Sequence, residues 1–307
     1  MRPSTAKAYE SHTRQYEKIC KEYALNVDQP LSEKQQCFVW TMYAQTHKMT
    51  SLPSFIAAIN SFYLDKEWPE LIRNRKFKQT MKSLQNLFAR TSNRKPKKSI
   101  SLQALTKMFC PFKQASSFRD CRDYCASVFA FFGLLRRSEY VDGALLFDQV
   151  KKVREGIELK IVRSKTSRAP QIVAIYKRSD DLCPVKAYDR YVQRRGQGNQ
   201  SEPFFTEEHN RPKPMNGSAF IRRLKKRFTS ATGRSSRSIS GHSFRRGGAT
   251  AMAKAGISNE MIQHQGRWKS ERMPLIYTDI QNDRSMRMAP SKQLQQATTG
   301  AKGRRIR

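Results

Sequence analysis

Apolar residues recur at helical spacing through the first ninety residues of the chain. Between Thr5 and Tyr23 they follow a period close to 3.6, as one face of a helix requires. The same pattern begins again after Ser32, near Ser51 and over 68–88. These four segments predict a small helical bundle that occupies residues 1–90.

From Ile100 onward the pattern is mixed. Strand-like runs are predicted over 147–153, 156–162 and 171–176, and in the second of these Ile157, Leu159 and Ile161 alternate with charged residues. Helices are predicted over 102–109, 119–132, 184–194, 217–232, 243–255 and 259–265, and around Tyr277. The sequence therefore predicts a mainly α protein with a small antiparallel β-sheet, an α+β class.

Composition changes between the two parts of the chain. Residues 91–99, TSNRKPKKS, are basic and polar and are interrupted by Pro96, which is typical of an exposed linker. Its cations could lie along a phosphate backbone, or the segment could simply be solvated. The expected phosphate contacts of this linker are Arg94, Lys95, Lys97 and Lys98. A larger domain is expected over residues 100–290, followed by a disordered basic tail over 291–307.

The net charge of +34 comes from 59 Lys and Arg against 25 Asp and Glu. Internal pairing cannot cancel such an excess, so a polyanion is expected, with nucleic acid as the first candidate. Charge alone also fits a ribosomal or histone-like packing protein. No apolar run is long enough to cross a membrane, and the N-terminus carries no apolar signal region, so neither membrane insertion nor secretion is expected. The six cysteines form no CxxC pair and have no histidine at metal-ligand spacing, so no metal is expected.

The segment GHSFRRGGATAMA, from Gly241 to Ala253, holds the first candidate chemistry. If Ser243 caps a helix, His242 and Arg245 project from its first turn, where backbone N–H groups also favour an anion. This arrangement predicts a phosphate site, although a lone HxxR is a weak signal.

Three other groups strengthen that hypothesis. Arg136, Arg137 and Glu139 directly follow an apolar helix, so they should be partly buried, and Glu139 could orient an arginine. Trp268 lies nine residues before Tyr277. Lys165 lies in the polar turn RSKTSR, at the expected hairpin tip between two strands.

In order, spacing and flanking residues, this constellation resembles the tyrosine recombinase (phage integrase) family. LRRSE at 135–139 is similar to the first arginine motif of that family, and HSFRR at 242–246 is similar to the second. Flanking features agree with the resemblance, and they include a short strand expected at 203–205. Most members have histidine at the position of Trp268, whereas Cre-like members have tryptophan. HSFRRGGAT and GRWKS most resemble recombinases of eukaryotic DIRS-, Ngaro- and Crypton-type mobile elements.

The resemblance implies a helical core-binding domain followed by a catalytic domain, and it assigns roles. Tyr277 would be the nucleophile, which joins a DNA 3′-phosphate covalently. Arg136 and Arg245 would hold the non-bridging oxygens, with Arg137 as the alternative to Arg136. The implied supporting roles are an indole donor at Trp268, a base at His242, a general acid at Lys165 and an orienting carboxylate at Glu139. Further DNA contacts are expected at Arg163, Arg168, Arg246 and Arg267.

The expected partner is double-stranded DNA, gripped between the two domains by four protomers, two on each recombination site. No cofactor, membrane or small-molecule substrate is expected, and the mobile-element resemblance together with the basic tail predicts a nuclear location. Two alternatives stay open. A type IB topoisomerase uses similar residues to relax supercoils, but its histidine motif differs. A domesticated element protein would bind DNA without cutting it, and would be free to lose one of the six catalytic positions.

Overall fold

The computed structural model describes residues 3–89, 99–109, 117–162, 169–209 and 211–278. It divides into two compact units, Met1–Lys95 and Pro96–Arg307. Of the predicted linker only Ser99 is described, and the predicted hairpin tip and basic tail lie outside the described residues. No described helix is both long enough and apolar enough to span a membrane.

The first unit is built from four α-helices: α1 (Pro3–Glu22), α2 (Glu33–Thr46), α3 (Leu52–Asp65) and α4 (Arg75–Ala89). Ser32 and Gln35 start α2 with a reciprocal capping box, in which each side chain pairs with the other residue's backbone N–H. Aromatic residues dominate the buried core of this unit: Tyr16, Trp40, Tyr43, Phe55 and Tyr63. The four-helix prediction for this region is confirmed.

The fourth helix starts later than the sequence pattern predicted. Trp68 does not open it but packs edge-on against Tyr63, with ring centroids 5.2 Å apart. The backbone N–H groups of Leu71 and Ile72 donate to side-chain oxygens of Asn60 and Gln36. These tertiary hydrogen bonds hold the segment in a non-helical path, and α4 begins only at Arg75.

The second unit combines seven helices and five strands among its described residues. The helices are α5 (Leu102–Phe109), α6 (Phe118–Phe132), α7 (Pro184–Arg195), α8 (Gly217–Thr232), α9 (Ser243–Lys254), α10 (Asn259–Gly266) and α11 (Arg272–Tyr277). The strands are β1 (Val150–Val153), β2 (Gly156–Ile161), β3 (Gln171–Tyr176), β4 (Thr206–Glu208) and β5 (Arg211–Pro214). The mainly α class with a small antiparallel sheet is confirmed.

The three-stranded sheet has the order β1-β2-β3, with all neighbours antiparallel. Leu159 pairs with Val173 and Ile157 with Ile175, so these four apolar residues share one face of the sheet. That face is buried in the core of the unit, which agrees with the alternation read from the sequence.

The strand expected at 203–205 is wrong, and a second hairpin was missed. Pro203 makes only an isolated bridge with Leu146. Phe204 and Phe205 are both buried, so the segment lacks the alternation of a strand with one solvated face. Pairing begins one residue later, where β4 forms a two-stranded antiparallel sheet with β5.

Two adjacent glycines bring α9 against the backbone of neighbouring segments. A Cβ atom on Gly247 would overlap the carbonyl oxygen of Ile100, and one on Gly248 would overlap that of Phe131, at the end of α6. The Ile100 N–H also donates to the Ser243 carbonyl, at the start of α9. These contacts fix the distance between α6 and the first turn of α9.

We predict that Gly248→Ala destabilises the second unit, although the same change in an exposed helix is stabilising by up to about 1 kcal/mol. The added methyl group meets a backbone oxygen that no side-chain rotation can remove, and overpacking of this kind costs about 1–3 kcal/mol. Urea denaturation of parent and variant measures the difference. An unchanged or higher free energy of unfolding would contradict the close approach of the two backbones.

Candidate active site

Arg245, in the first turn of α9, is fully buried. Its guanidinium donates through Nη1 to the Leu134 carbonyl and through Nη2 to the Gly266 carbonyl. Leu134 has a left-handed backbone with φ of 45°, which is uncommon for a leucine. The chain therefore turns sharply after α6, and Leu134 contributes one of the two carbonyls that hold Arg245.

Two aromatic rings pack on the same guanidinium. Arg245 Cζ lies 4.4 Å from the ring centroid of Trp268 and 5.7 Å from that of Tyr277. The two rings are themselves in contact, with centroids 4.9 Å apart at an angle of 43°. A cation held over aromatic faces is stabilised by their quadrupoles, and more strongly where water is excluded. The structure thus brings three residues from different sequence motifs into one cluster.

Arg136 and Glu139 form an ion pair just after α6. Arg136 donates to Glu139 twice, from its backbone N–H to Oε2 and from Nη1 to Oε1, both at 2.8 Å. The Glu139 side chain is fully buried, whereas that of Arg136 remains 13% exposed. Arg137, the alternative first arginine, is exposed. The geometry therefore favours Arg136 as the inward-facing arginine of this motif.

Burial and like charge act together on these arginines. Loss of hydration, with Arg136 and Arg267 nearby, lowers the pKa of Arg245 to about 9. Burial also lowers the pKa of Arg267, and Arg136 adds to that effect. The Arg245 guanidinium still carries its charge at neutral pH. Three guanidiniums thus interact electrostatically around one carboxylate, Glu139, and such a site favours an anion.

His242 is exposed at the N-cap of α9, one turn before Arg245. It occupies the cap position that the sequence pattern gave to Ser243, which is instead the first helical residue. Arg246 donates to the carbonyl of Ile276 at 3.1 Å, and its Cζ lies 6.0 Å from the Tyr277 ring centroid. Arg246 therefore contacts the segment that carries Tyr277.

Several predicted site residues lie outside the described residues. They are the proposed general acid Lys165, its neighbours Arg163 and Arg168, and the linker cations Arg94, Lys95, Lys97 and Lys98. Their roles stay predictions.

Arg267, for which the sequence predicted a DNA contact, has a side chain that lies in the interior of the site. Its side chain is only 4% exposed and Nη2 lies 2.6 Å from Glu139 Oε2. Weaker contacts join the same guanidinium to the carbonyls of Gly133 and Leu134, at 3.4 and 3.5 Å. Arg267 faces the interior because the left-handed backbone at this residue, with φ of 53°, ends α10 and turns the side chain towards Glu139.

Sequence reasoning missed the backbone groups that hold the site. The carbonyls of Leu134 and Gly266 have no signature in the sequence, because every residue type carries one. Gln265 was also missed: its Nε2 donates to the carbonyls of Phe132 and Ala174, and so ties α10 to the end of α6 and to β3. The adjacent Gly266 was the available signal that this segment is closely packed, because a Cβ at that position would overlap the Trp268 ring.

The cluster can bind a phosphate group and place a phenol beside it. Arginine forks match phosphate oxygens, and Tyr277 supplies the hydroxyl. Within the part of the chain that the structure describes, no three His, Cys, Asp or Glu side chains come together as a metal site would require.

Comparison with known proteins identifies relatives. The model of the phage integrase family matches residues 98–284. No curated protein sequence matches the chain. Among solved structures, the Tn1549 transposon integrase in complex with circular intermediate DNA is similar with a TM-score of 0.65 and 15% identity, over 96% of this chain and 94% of that one.

Two further structures show the same likeness of fold. XerH site-specific recombinase bound to difH substrate has a TM-score of 0.62 and 11% identity, over 93% of this chain and 78% of its own. A lambda integrase dimer bound to a COC′ core site has a TM-score of 0.58 and 16% identity, over 91% of this chain and 89% of its own.

We predict that Glu139→Gln lowers the free energy of unfolding by about 3 kcal/mol, because it leaves two buried arginines without their counter-charge. The matched control is Glu208→Gln, which removes the ion pair with Arg211 on the surface of the same unit, where Glu208 is 51% exposed. That change should lower the free energy of unfolding by less than about 0.5 kcal/mol. Urea denaturation measures both, and equal effects would show that Glu139 does not stabilise the arginine cluster.

Proposed function

The chain belongs to the phage integrase family, and we propose that it is a site-specific DNA recombinase, which cleaves and rejoins strands through a bond between Tyr277 and a 3′-phosphate. The observation that carries this proposal is the contact of Arg245 with both Trp268 and Tyr277. Burial of a cation disfavours folding unless other groups replace its hydration. Here the groups that lie against the cation include a phenol and an indole, which are the side chains that the proposed reaction needs.

In the proposed step the Tyr277 oxygen attacks the phosphorus of a DNA phosphodiester. The new O–P bond forms as the bond from phosphorus to the 5′-oxygen breaks, and the phenolic proton is removed as the leaving oxygen gains one. The product is a 3′-phosphotyrosyl bond and a free 5′-hydroxyl. Attack by a 5′-hydroxyl of a second strand reverses the step and restores the tyrosine, so no external energy source or redox partner is needed.

Charge builds on the two non-bridging oxygens during that attack. Arg136 and Arg245 are the proposed donors to these oxygens, because each presents a fixed fork of N–H groups. The indole of Trp268 lies against Arg245 and could donate to the same phosphate. His242, at the N-cap of the helix that carries Arg245, is the proposed proton acceptor for the phenol.

The remaining expectations extend this proposal. The proposal also includes Lys165 as the general acid and the assembly of four protomers on paired sites. It further includes a role in mobile-element integration or excision, and a nuclear location. The net charge of +34 supports double-stranded DNA as the partner.

We expect the chain to form SDS-resistant adducts with nicked DNA fragments from a mixed pool, and the Tyr277→Phe variant to form none. The phenylalanine ring preserves packing on Trp268 and Arg245 but lacks the attacking oxygen. Adduct gels, followed by peptide mapping to Tyr277, make the measurement. DNA affinity should stay within about threefold, since no phosphate contact is removed.

Other outcomes separate the alternatives. Tight, site-selective binding by the parent without any adduct would favour a non-cutting DNA-binding protein. Adducts accompanied by relaxation of supercoiled plasmid without strand exchange between duplexes would favour a topoisomerase-like activity. Adduct formation by Tyr277→Phe would show that another residue is the nucleophile.

A second prediction uses two adjacent arginines. Arg136→Ala should slow single-turnover adduct formation by about 10²–10³-fold, the usual effect of removing one donor to a developing oxyanion. Arg137→Ala should leave that rate within about threefold, because the Arg137 side chain faces solvent and the Arg136 side chain faces Glu139. Timed quenching of both variants on the same nicked substrate decides between them. The opposite ranking would move the role of first arginine to Arg137.

A further inference from the structure

Arg267 occupies a backbone conformation that arginine rarely adopts. Its φ of 53° lies in the left-handed region, where a side chain is disfavoured by about 1 kcal/mol relative to glycine. It is the C-cap of α10, and its N–H donates to the His264 carbonyl at 2.9 Å. Glycine is the common solution at such a helix end. An arginine there calls for a contribution from its side chain that offsets the strain.

That contribution is a buried ion pair with Glu139. Arg267 Nη2 lies 2.6 Å from Glu139 Oε2, and the two side chains are 4% and 0% exposed. Glu139 meets Arg136 through its other oxygen, since Arg136 Nη1 lies 2.8 Å from Oε1. One carboxylate is thus held between two guanidiniums, one at each oxygen, and Oε2 also accepts from the Arg136 backbone N–H.

This arrangement fixes the orientation of the carboxylate. Rotation of the carboxylate about χ3 would break three hydrogen bonds, two from Arg136 and one from Arg267. Without Arg267, Oε2 would keep only the backbone N–H of Arg136 as a donor. The direction of the Arg136 guanidinium depends on that of Glu139, because their hydrogen bond joins two side chains three residues apart on one turn.

The positive charge of Arg267, the donor to Glu139 Oε2, also contributes to the site. A neutral donor could fill the same hydrogen bond to Glu139, but a guanidinium adds a third positive charge to the cluster. The mutual repulsion of these cations lowers the pKa of both Arg245 and Arg267, so the cluster holds more positive charge than its own carboxylate neutralises. Such an excess is favourable once an anion binds beside it.

We propose that Arg267 is a positioning residue for strand cleavage: it holds Glu139 and thereby directs Arg136 at the scissile phosphate. The proposal rests on the recombinase function proposed above. Arg267 itself stays beneath the site and touches no DNA.

The first test needs no DNA. Urea denaturation of Arg267→Gly, Glu139→Gln and the double variant gives a thermodynamic cycle for the pair, and glycine suits the left-handed backbone. The two changes should be strongly non-additive. Additive effects on the free energy of unfolding would show that the two side chains do not interact, which would contradict the proposal.

The second test measures the rate of covalent adduct formation in single turnovers, on the nicked duplex that the parent selects from the mixed pool. Arg267→Gly should react about 10- to 100-fold more slowly, the usual range for residues that orient a functional group from behind. The DNA concentration for half-maximal rate should stay within about threefold of the parent's. Combining Arg267→Gly with Glu139→Gln should slow the reaction no further than the slower single variant.

Two controls separate positioning from a general loss of structure. Millimolar guanidinium should restore part of the rate of Arg267→Gly, because the ion can occupy the vacated space, and should leave the parent unchanged. Lys269→Ala, at an exposed cation two residues away, should react at the parent's rate. Arg267→Lys keeps a cation and should fall between the parent and the glycine variant, which provides a folded variant if glycine disrupts α10.

The outcomes are distinct. A parent-like rate for Arg267→Gly, or weaker DNA binding with an unchanged rate at saturation, would overturn the positioning role. A coupled Arg267–Glu139 pair in a parent that forms no Tyr277 adduct would instead overturn the proposed recombinase function, while leaving the ion pair itself established.

Discussion

Burying the Arg245 guanidinium removes a charge from water, which disfavours folding unless other groups replace the lost hydration. In this protein the carbonyls of Leu134 and Gly266 and the faces of two aromatic rings do so. These four groups belong to three segments of the chain, and each segment has to follow a defined path to reach the arginine. The turn after α6, the end of α10, and α11 with Tyr277 are therefore positioned around one side chain.

The basic residues of this chain fall into two physical classes. Most of the 59 cations contribute to a long-range field that attracts a polyanion and is screened by salt. Arg136, Arg245 and Arg267 are different, because they are largely buried and lie near one carboxylate, with which Arg136 and Arg267 form hydrogen bonds. In the proposed function the first class would account for affinity towards DNA in general, and the second would provide the place where one particular phosphate reacts.

Much of the fold follows from local pattern. Periodicity located the helices of both units and the three-stranded sheet, because apolar faces have to be buried wherever they occur. It failed where tertiary contacts override local preference: Asn60 and Gln36 hold the segment before α4 in a non-helical path. At the site, motif spacing identified the arginines, the tryptophan and the tyrosine that the structure brings together. The inward direction of Arg267 could not be predicted, because composition marks an arginine as basic but cannot indicate that a left-handed backbone turns it inward.

The carbonyl groups that hold Arg245 are supplied by the main chain. A requirement for a main-chain oxygen constrains the path of the backbone at Leu134 and Gly266, whereas a requirement for a side-chain partner would constrain residue identity. Substitutions can therefore accumulate around this arginine over evolutionary time as long as the backbone keeps its course. This offers a physical reason why chains with only 11–16% identity have similar folds.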